Sequence, residues 1–421
     1  MTATAEELEG KAKAAKAASR KLAHMASDVK NRALLKMADA LVSREKEILD
    51  ANRLDCEAAR AAGMDAAMLD RLLLDAGRLA AIASDVRTVA ALPDPIGEAF
   101  DTRTLPNGMR IERRRVPLGV IGVIYESRPN VTVDISSLCL KSGNAVILRG
   151  GKEALHSNSA LARVIRESIQ EAGIPQDAVQ FIESTERELV SQMLKMNHVI
   201  DLIIPRGGEG LVSFVTQNAT MAVLASGVGI CHTYVDESAD LRKAVPIAFN
   251  AKVQRPTVCN ALDCLLVHSA VAGDYLPMIA TEWQKAGVEM HCDERSRKVL
   301  SSYNPVAATD ADWGKEFLAL IAAVKVVDSL DEALEHIERY SSGHSEAIIT
   351  EDYTAAMRFL EEVDASCVYV NASTRFTDGG QFGLGAEVGI STNKFHARGP
   401  MGLKELTTYK WVIMGSGQVR P

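Results

Sequence analysis

Residues 5–90 repeat apolar side chains at helical spacing, Leu34, Met37, Leu41 and Ile48 among them, in a background rich in Ala, Leu, Lys and Glu. That period predicts a layer of helices. A loop through Pro93, Asp94 and Pro95 closes it, and residues 101–116 then alternate as a hairpin about Pro106-Asn107-Gly108. Asn-Gly is the strongest short hairpin signal, because tight hairpin turns need positive φ at their central residues. The second arm, Met109-Arg-Ile-Glu-Arg-Arg-Arg-Val116, is strongly basic and suits either a solvated flap or an arm that extends a partner's sheet.

From Gly119 the period changes. Gly119-Val-Ile-Gly-Val-Ile-Tyr125 is a continuous apolar run suited to a strand buried on both faces. Residues 131–141 are helix-like, Ala145-Val-Ile-Leu148 strand-like, 157–172 helical again, and Val199-Ile-Asp-Leu-Ile-Ile204 strand-like. This βαβα order predicts an α/β fold with a doubly wound parallel sheet. A second alternating block runs from about residue 230 past Cys259 to about 370. The tail, Lys404-Glu-Leu-Thr-Thr-Tyr-Lys-Trp-Val-Ile-Met414, alternates as a strand, and so apolar a terminal strand needs something to pair with.

At 421 residues the chain exceeds one small core and implies two or three domains. Apolar residues at 47% and charged residues at 24% give the balance of a soluble globular protein. The net charge of −8 and the lack of a long Lys/Arg block argue against nucleic acid or an anionic membrane as the main partner, so anionic ligands need local basic pockets. Seven cysteines without a C-x-x-C pair indicate neither a disulfide framework nor a zinc knuckle, and the adjacent His291-Cys292 reads as structural; no metal is expected. The N-terminus has no basic segment followed by an apolar one, and the longest candidate apolar stretch, 317–324, is far short of a span. A reducing, cytoplasmic setting is expected.

Cys259 stands where a helix-like segment gives way to an apolar strand, in Arg255-Pro-Thr-Val-Cys-Asn-Ala261. A thiol on such a turn can act as a nucleophile, with its backbone N–H donating to an oxyanion; a buried structural thiol is the competing reading. No Gly-x-Gly-x-x-Gly follows a strand, the nearest string, Gly383-Leu-Gly-Ala-Glu-Val-Gly389, being one residue too long. Arg149 and Lys152 flank Gly150-Gly151 at a strand end and suit a phosphate. Arg206-Gly207-Gly208 suits either the start of a helix whose N–H groups face another phosphate or a mere turn.

The ordered set Val116-Pro-Leu-Gly-Val-Ile-Gly-Val-Ile124, Ser142-Gly-Asn-Ala-Val-Ile-Leu148, the cysteine strand and Glu332-Ala-Leu-Glu-His-Ile-Glu-Arg-Tyr-Ser-Ser-Gly-His344 resembles the aldehyde dehydrogenase superfamily. Tyr125-Glu-Ser-Arg-Pro-Asn-Val-Thr132, Leu148-Arg-Gly-Gly-Lys-Glu153, Ile204-Pro-Arg-Gly-Gly208, Lys252-Val-Gln-Arg-Pro-Thr-Val-Cys-Asn-Ala261, Ser342-Gly-His-Ser-Glu346 and Val370-Asn-Ala-Ser-Thr-Arg-Phe376 narrow the likeness to its branch that reduces L-glutamate 5-phosphate in proline biosynthesis. The resemblance implies two parallel-sheet, Rossmann-like domains and a β-strand oligomerisation lobe: 1–100 with 117–228 for the cofactor, 229–385 for catalysis, and 101–116 with 395–421 for assembly. It turns the hairpin from flap to arm.

It further implies NADPH as reductant, Cys259 as nucleophile and Asn130 as side-chain oxyanion donor. Arg149 and Lys152 would hold the NADP 2′-phosphate, Arg206, Gly207 and Gly208 another phosphate, and Glu316 the nicotinamide ribose. Arg128, Arg255, Asn371 and Arg375 would share the substrate's carboxylate and phosphate, while His344 is a loop hydrogen-bonder rather than a base. Where hydrolytic relatives carry a glutamate to activate water, this chain has Ala225-Ser-Gly-Val-Gly-Ile-Cys231, with no carboxylate. That favours a thioester that is reduced rather than hydrolysed. The expected partners are a second copy of the chain and a separate glutamate 5-kinase. Another acyl-phosphate or aldehyde oxidoreductase of the superfamily, or a non-catalytic oligomeric binding protein, remains open on sequence alone.

Overall fold

A computed structural model describes residues 3–225 and 227–420, which form two compact units: 3–225 with 383–389 and 401–420, and 227–382 with 390–400. The first unit opens with helices Ala3–Leu22, Ser27–Ser43, Glu45–Ala61, Ala66–Leu72 and Ala76–Ala91, the last two capped by the Asp65 and Asp75 carboxylates. Leu34, Met37, Leu41 and Ile48 are fully buried, as their spacing requires. Hairpin strands β1 (Ala99–Thr104) and β2 (Arg110–Pro117) then lead into β3 (Val120–Tyr125), β4 (Ala145–Arg149), β5 (Val179–Phe181), β6 (Leu202–Arg206) and β7 (Ala222–Val223). The last five are parallel, in the order β5-β4-β3-β6-β7, so the order reverses beside β3.

All six residues of β3 are buried, because helices cover both faces of a parallel sheet. Strand β6 starts later than the apolar run suggests. Val199 and Ile200 close a turn onto the Met196 carbonyl, and Asp201 accepts from the Val120 N–H at 2.8 Å while paired with Lys16 at 2.8 Å.

The second unit holds β8 (Cys231–Val235), β9 (Leu262–His268), β10 (Glu289–Cys292), β11 (Val306–Ala307), β12 (Ile321–Val327), β13 (Ser345–Ile349) and β14 (Cys367–Val370). They form one parallel sheet in the order β11-β10-β12-β9-β8-β13-β14. Trp283 and Tyr275, from helix Ser269–Lys285, fill the core on one face. A short antiparallel pair, β15 (Ile390–Ser391) and β16 (Gly399–Pro400), completes this unit.

The tail forms β17 (Thr407–Met414), which pairs with β2 from Thr407↔Pro117 to Met414↔Arg110. The three-stranded antiparallel sheet β1-β2-β17 clusters with the first unit, and residues 390–400 with the second, where the sequence suggests one separate lobe of 101–116 and 395–421. Arg113 lies over the Tyr409 and Trp411 rings at 4.7 and 4.9 Å, cation–π contacts that fix the register of β17 on β2. Among the described residues no helix is long and apolar enough to cross a membrane.

Candidate active site

Cys259 lies on the turn between helix Leu241–Val253 and β9, half-buried. Both flanks of the turn are clamped. Lys252, wholly buried, donates to the Leu262 carbonyl at 2.8 Å and sits 3.6 Å from Asp263. Burial pushes Asp263 up to about 7 against the pull of Lys252, and pushes Lys252 down. The pairing of β8 with β9 slips here, Cys231 facing Leu262 but His232 facing Cys264, so the strand leaves the turn through a bulge at Asp263.

The neighbouring backbone comes very close. A Cβ on Gly229 would lie 1.9 Å from the Cys259 carbonyl oxygen, so only glycine fits. The Cys231 thiol donates to that same carbonyl at 3.2 Å. Glu316 accepts from the Gly229 N–H at 3.2 Å. A carboxylate therefore does reach the 225–231 stretch that carries none of its own, through a backbone hydrogen bond.

Arg375 reaches the turn from the loop after β14. Its Nε donates to Gln254 at 3.0 Å and its Nη1 to Asn260, while Thr374 Oγ1 donates to the Asn260 carbonyl at 2.7 Å. Burial lowers the Arg375 pKa, the like charge of Arg255 adds to that, and Cys259 opposes it. Arg255 itself is exposed. The structure thus brings Cys259, Arg255 and Arg375 together at the N-terminal edge of this sheet. Asn371, at φ 55°, instead spends its amide on the backbone of Thr350, accepting at 2.9 Å and donating at 2.8 Å. His344 is buried, its Nδ1 2.9 Å from Ser345 Oγ and 3.8 Å from Cys231 Sγ, and burial lowers its pKa to about 4, so it is neutral near pH 7.

In the first unit the singled-out residues gather at the C-terminal edge of β3, β4 and β6, where ligands of open parallel sheets are held. Arg149 ends β4, donating to the carbonyls of Gly150 and Thr185 at 3.1 Å each, and its buried Nε has no partner among the described residues. Burial lowers its pKa, opposed by Glu153. Lys152 is exposed. A Cβ on Gly150 would lie 2.2 Å from Asn158 Nδ2, which is buried and likewise without a partner. A glycine cradle with two cations and two orphaned donors suits an anionic dinucleotide group.

Arg206 ends β6, and Gly207-Gly208 opens helix Glu209–Asn218. Here the Glu126 carboxylate already accepts from the Gly208 N–H at 3.0 Å, so a phosphate at this helix start has to displace it. Asn130 begins helix Asn130–Lys141 and donates to Asp134 at 2.9 Å, which leaves its second amide hydrogen for another acceptor. Burial lifts Asp134 to about 7, with the Asn130 hydrogen bond opposing. Arg128, on the loop before it, is exposed.

The description "aldehyde dehydrogenase family" matches residues 1–299 and 305–412. The chain belongs to that family. Among its relatives, the γ-glutamyl phosphate reductase of Dehalococcoides mccartyi strain 195 is 61% identical over 98% of each chain. The solved γ-glutamyl phosphate reductase of Thermotoga maritima is 53% identical over 99% of this chain and 100% of its own, with a TM-score of 0.96. An acetylating aldehyde dehydrogenase of Geobacillus thermoglucosidasius, at 18% identity and a TM-score of 0.71 over 99% of this chain and 98% of its own, shares the fold. Sequence reasoning about this family member missed Cys231, Gly229 and the Lys252–Asp263 pair. Only the Lys252-Val-Gln-Arg-Pro motif hinted at one of them.

Proposed function

We propose that the chain reduces L-glutamate 5-phosphate to L-glutamate 5-semialdehyde and phosphate, with NADPH as reductant and a thioester on Cys259. The observation that carries this reading is a half-buried thiol on a clamped turn, flanked by Arg255 and Arg375, in a chain aligned end to end with reductases of that substrate. In the proposed sequence Cys259 Sγ attacks the γ-carbonyl carbon, the carbon–oxygen bond to phosphate breaks, and phosphate leaves with the electron pair. A nicotinamide dinucleotide, when bound, supplies the hydride that reduces the thioester carbonyl. The carbon–sulfur bond then breaks, releasing the aldehyde and returning the thiolate.

The residues divide the remaining work. Asn130 donates its second amide hydrogen to the oxyanion, aimed by Asp134. Arg128, Arg255 and Arg375 balance the carboxylate and phosphate, with Asn371 shaping the loop that carries Arg375. Arg149 and Lys152 hold the 2′-phosphate that distinguishes NADP, Arg206 with Gly207-Gly208 a second phosphate, and Glu316 the nicotinamide ribose. The enzyme works as a homo-oligomer in the cytoplasm, supplied by a separate glutamate 5-kinase.

The reverse reaction tests this. With glutamate semialdehyde, NADP should be reduced only when inorganic phosphate is present, and Cys259→Ala should abolish the signal while cofactor binding persists. Phosphate-independent oxidation, or a preference for aspartyl or acetylglutamyl substrates, contradicts the assignment.

A further inference from the structure

Two residues into β9, and on the facing position of β8, lies a group of side chains that the reaction leaves unused. His232 and Cys264 are register partners, and His336 projects from helix Leu330–Tyr340. All three are buried, and one ligand atom from each lies within 4.8 Å of the other two. Cys264 Sγ and His336 Nε2 are 3.6 Å apart. Tetrahedral zinc, with metal–sulfur and metal–nitrogen distances of about 2.3 and 2.0–2.1 Å, sets a sulfur–nitrogen edge of about 3.6 Å.

The surroundings match such a site. His232 Nδ1 is 3.0 Å from Glu346 Oε2, whose carboxylate is held in turn by the Ser341 hydroxyl at 2.5 Å. His232 Nε2 is buried, and among the described residues no group other than the Cys264 thiol is placed to bond it. A carboxylate that fixes one imidazole nitrogen and leaves the other bare toward a thiol is the usual outer shell of a metal-binding histidine. The His336 ring is walled by Trp313 and Tyr340, at centroid distances of 5.5 and 4.7 Å. Lys325 Nζ, which can only donate, lies 3.4 Å from His336 Nδ1; metal on Nε2 puts the ring proton on Nδ1, so the ammonium has to turn from the ring to Glu332, 3.5 Å away.

We propose that His232 Nε2, Cys264 Sγ and His336 Nε2 bind one thiophilic divalent cation of the zinc class, stapling β8 and β9 to helix Leu330–Tyr340. One thiolate and two imidazoles select zinc or cobalt over magnesium or calcium. The site is independent of the reductase reading, because none of its ligands takes part in the proposed chemistry.

Cobalt(II) is the probe, added to the native protein and, separately, during refolding. The expected result is one equivalent bound, with a raised Tm and with a thiolate-to-cobalt charge-transfer band and tetrahedral visible bands that vanish when zinc replaces cobalt. The band should persist in Cys259→Ser and vanish in Cys264→Ser. His336→Gln, with its fold checked by circular dichroism, gives the same reading if Cys264→Ser does not fold. Absence of the band by both loading routes, its survival in Cys264→Ser or in folded His336→Gln, or its loss in Cys259→Ser overturns the proposal.

Discussion

In the proposed reaction, cofactor choice rests on one residue, Arg149. Its guanidinium ends a buried strand, is anchored by two carbonyls, and keeps one buried donor without a partner among the described residues. A charge-assisted hydrogen bond to a phosphate is worth about 1.5–3 kcal/mol, on the order of ten- to a hundredfold in affinity. Arg149→Glu is therefore expected to raise the KM for NADPH by about that factor and leave the KM for NADH almost unchanged. Steady-state kinetics with both cofactors checks this, and equal effects on the two would remove the 2′-phosphate role. Much at this scale was legible: Cys259 stood out because a helical period breaks into an apolar run just there. Cys231 and Gly229 did not, because they meet the cysteine turn across β8, some thirty positions back, and no local pattern encodes that approach.

At the scale of elements, the buried parallel strands were the easiest to read. A strand covered on both faces, such as β3, leaves an uninterrupted apolar run, and Asn107-Gly108 marked the hairpin turn, with Gly108 at φ 85°. The bulge at Asp263 was hidden, since register is a property of two strands and not of one. The tail strand was legible as a strand; paired with β2, it leaves Tyr409, Trp411 and Ile413 exposed, which the proposed oligomer would cover. Deleting the residues after Met401 strips β2 of its partner along eight positions. Sedimentation of that truncation is expected to show monomer or aggregate, and an intact oligomer would contradict the assembly role.

For the whole molecule, the proposed reaction assigns each unit one part of the chemistry on its own sheet. The first offers cations and a glycine cradle at the C-terminal edge of β3, β4 and β6. The second holds a thiol at the N-terminal edge of β8 and β9, on a turn fixed by buried Lys252 and Asp263 and by the Gly229 backbone. That turn holds one half-buried sulfur, and the proposed reaction stands on that sulfur being acylated. Acid-quenching the enzyme during turnover on glutamate semialdehyde, NADP and phosphate, then mapping peptides by mass spectrometry, tests this most directly. The expected result is a γ-glutamyl adduct on Cys259 alone, removed by hydroxylamine; an adduct on another side chain, or none during active turnover, would contradict it.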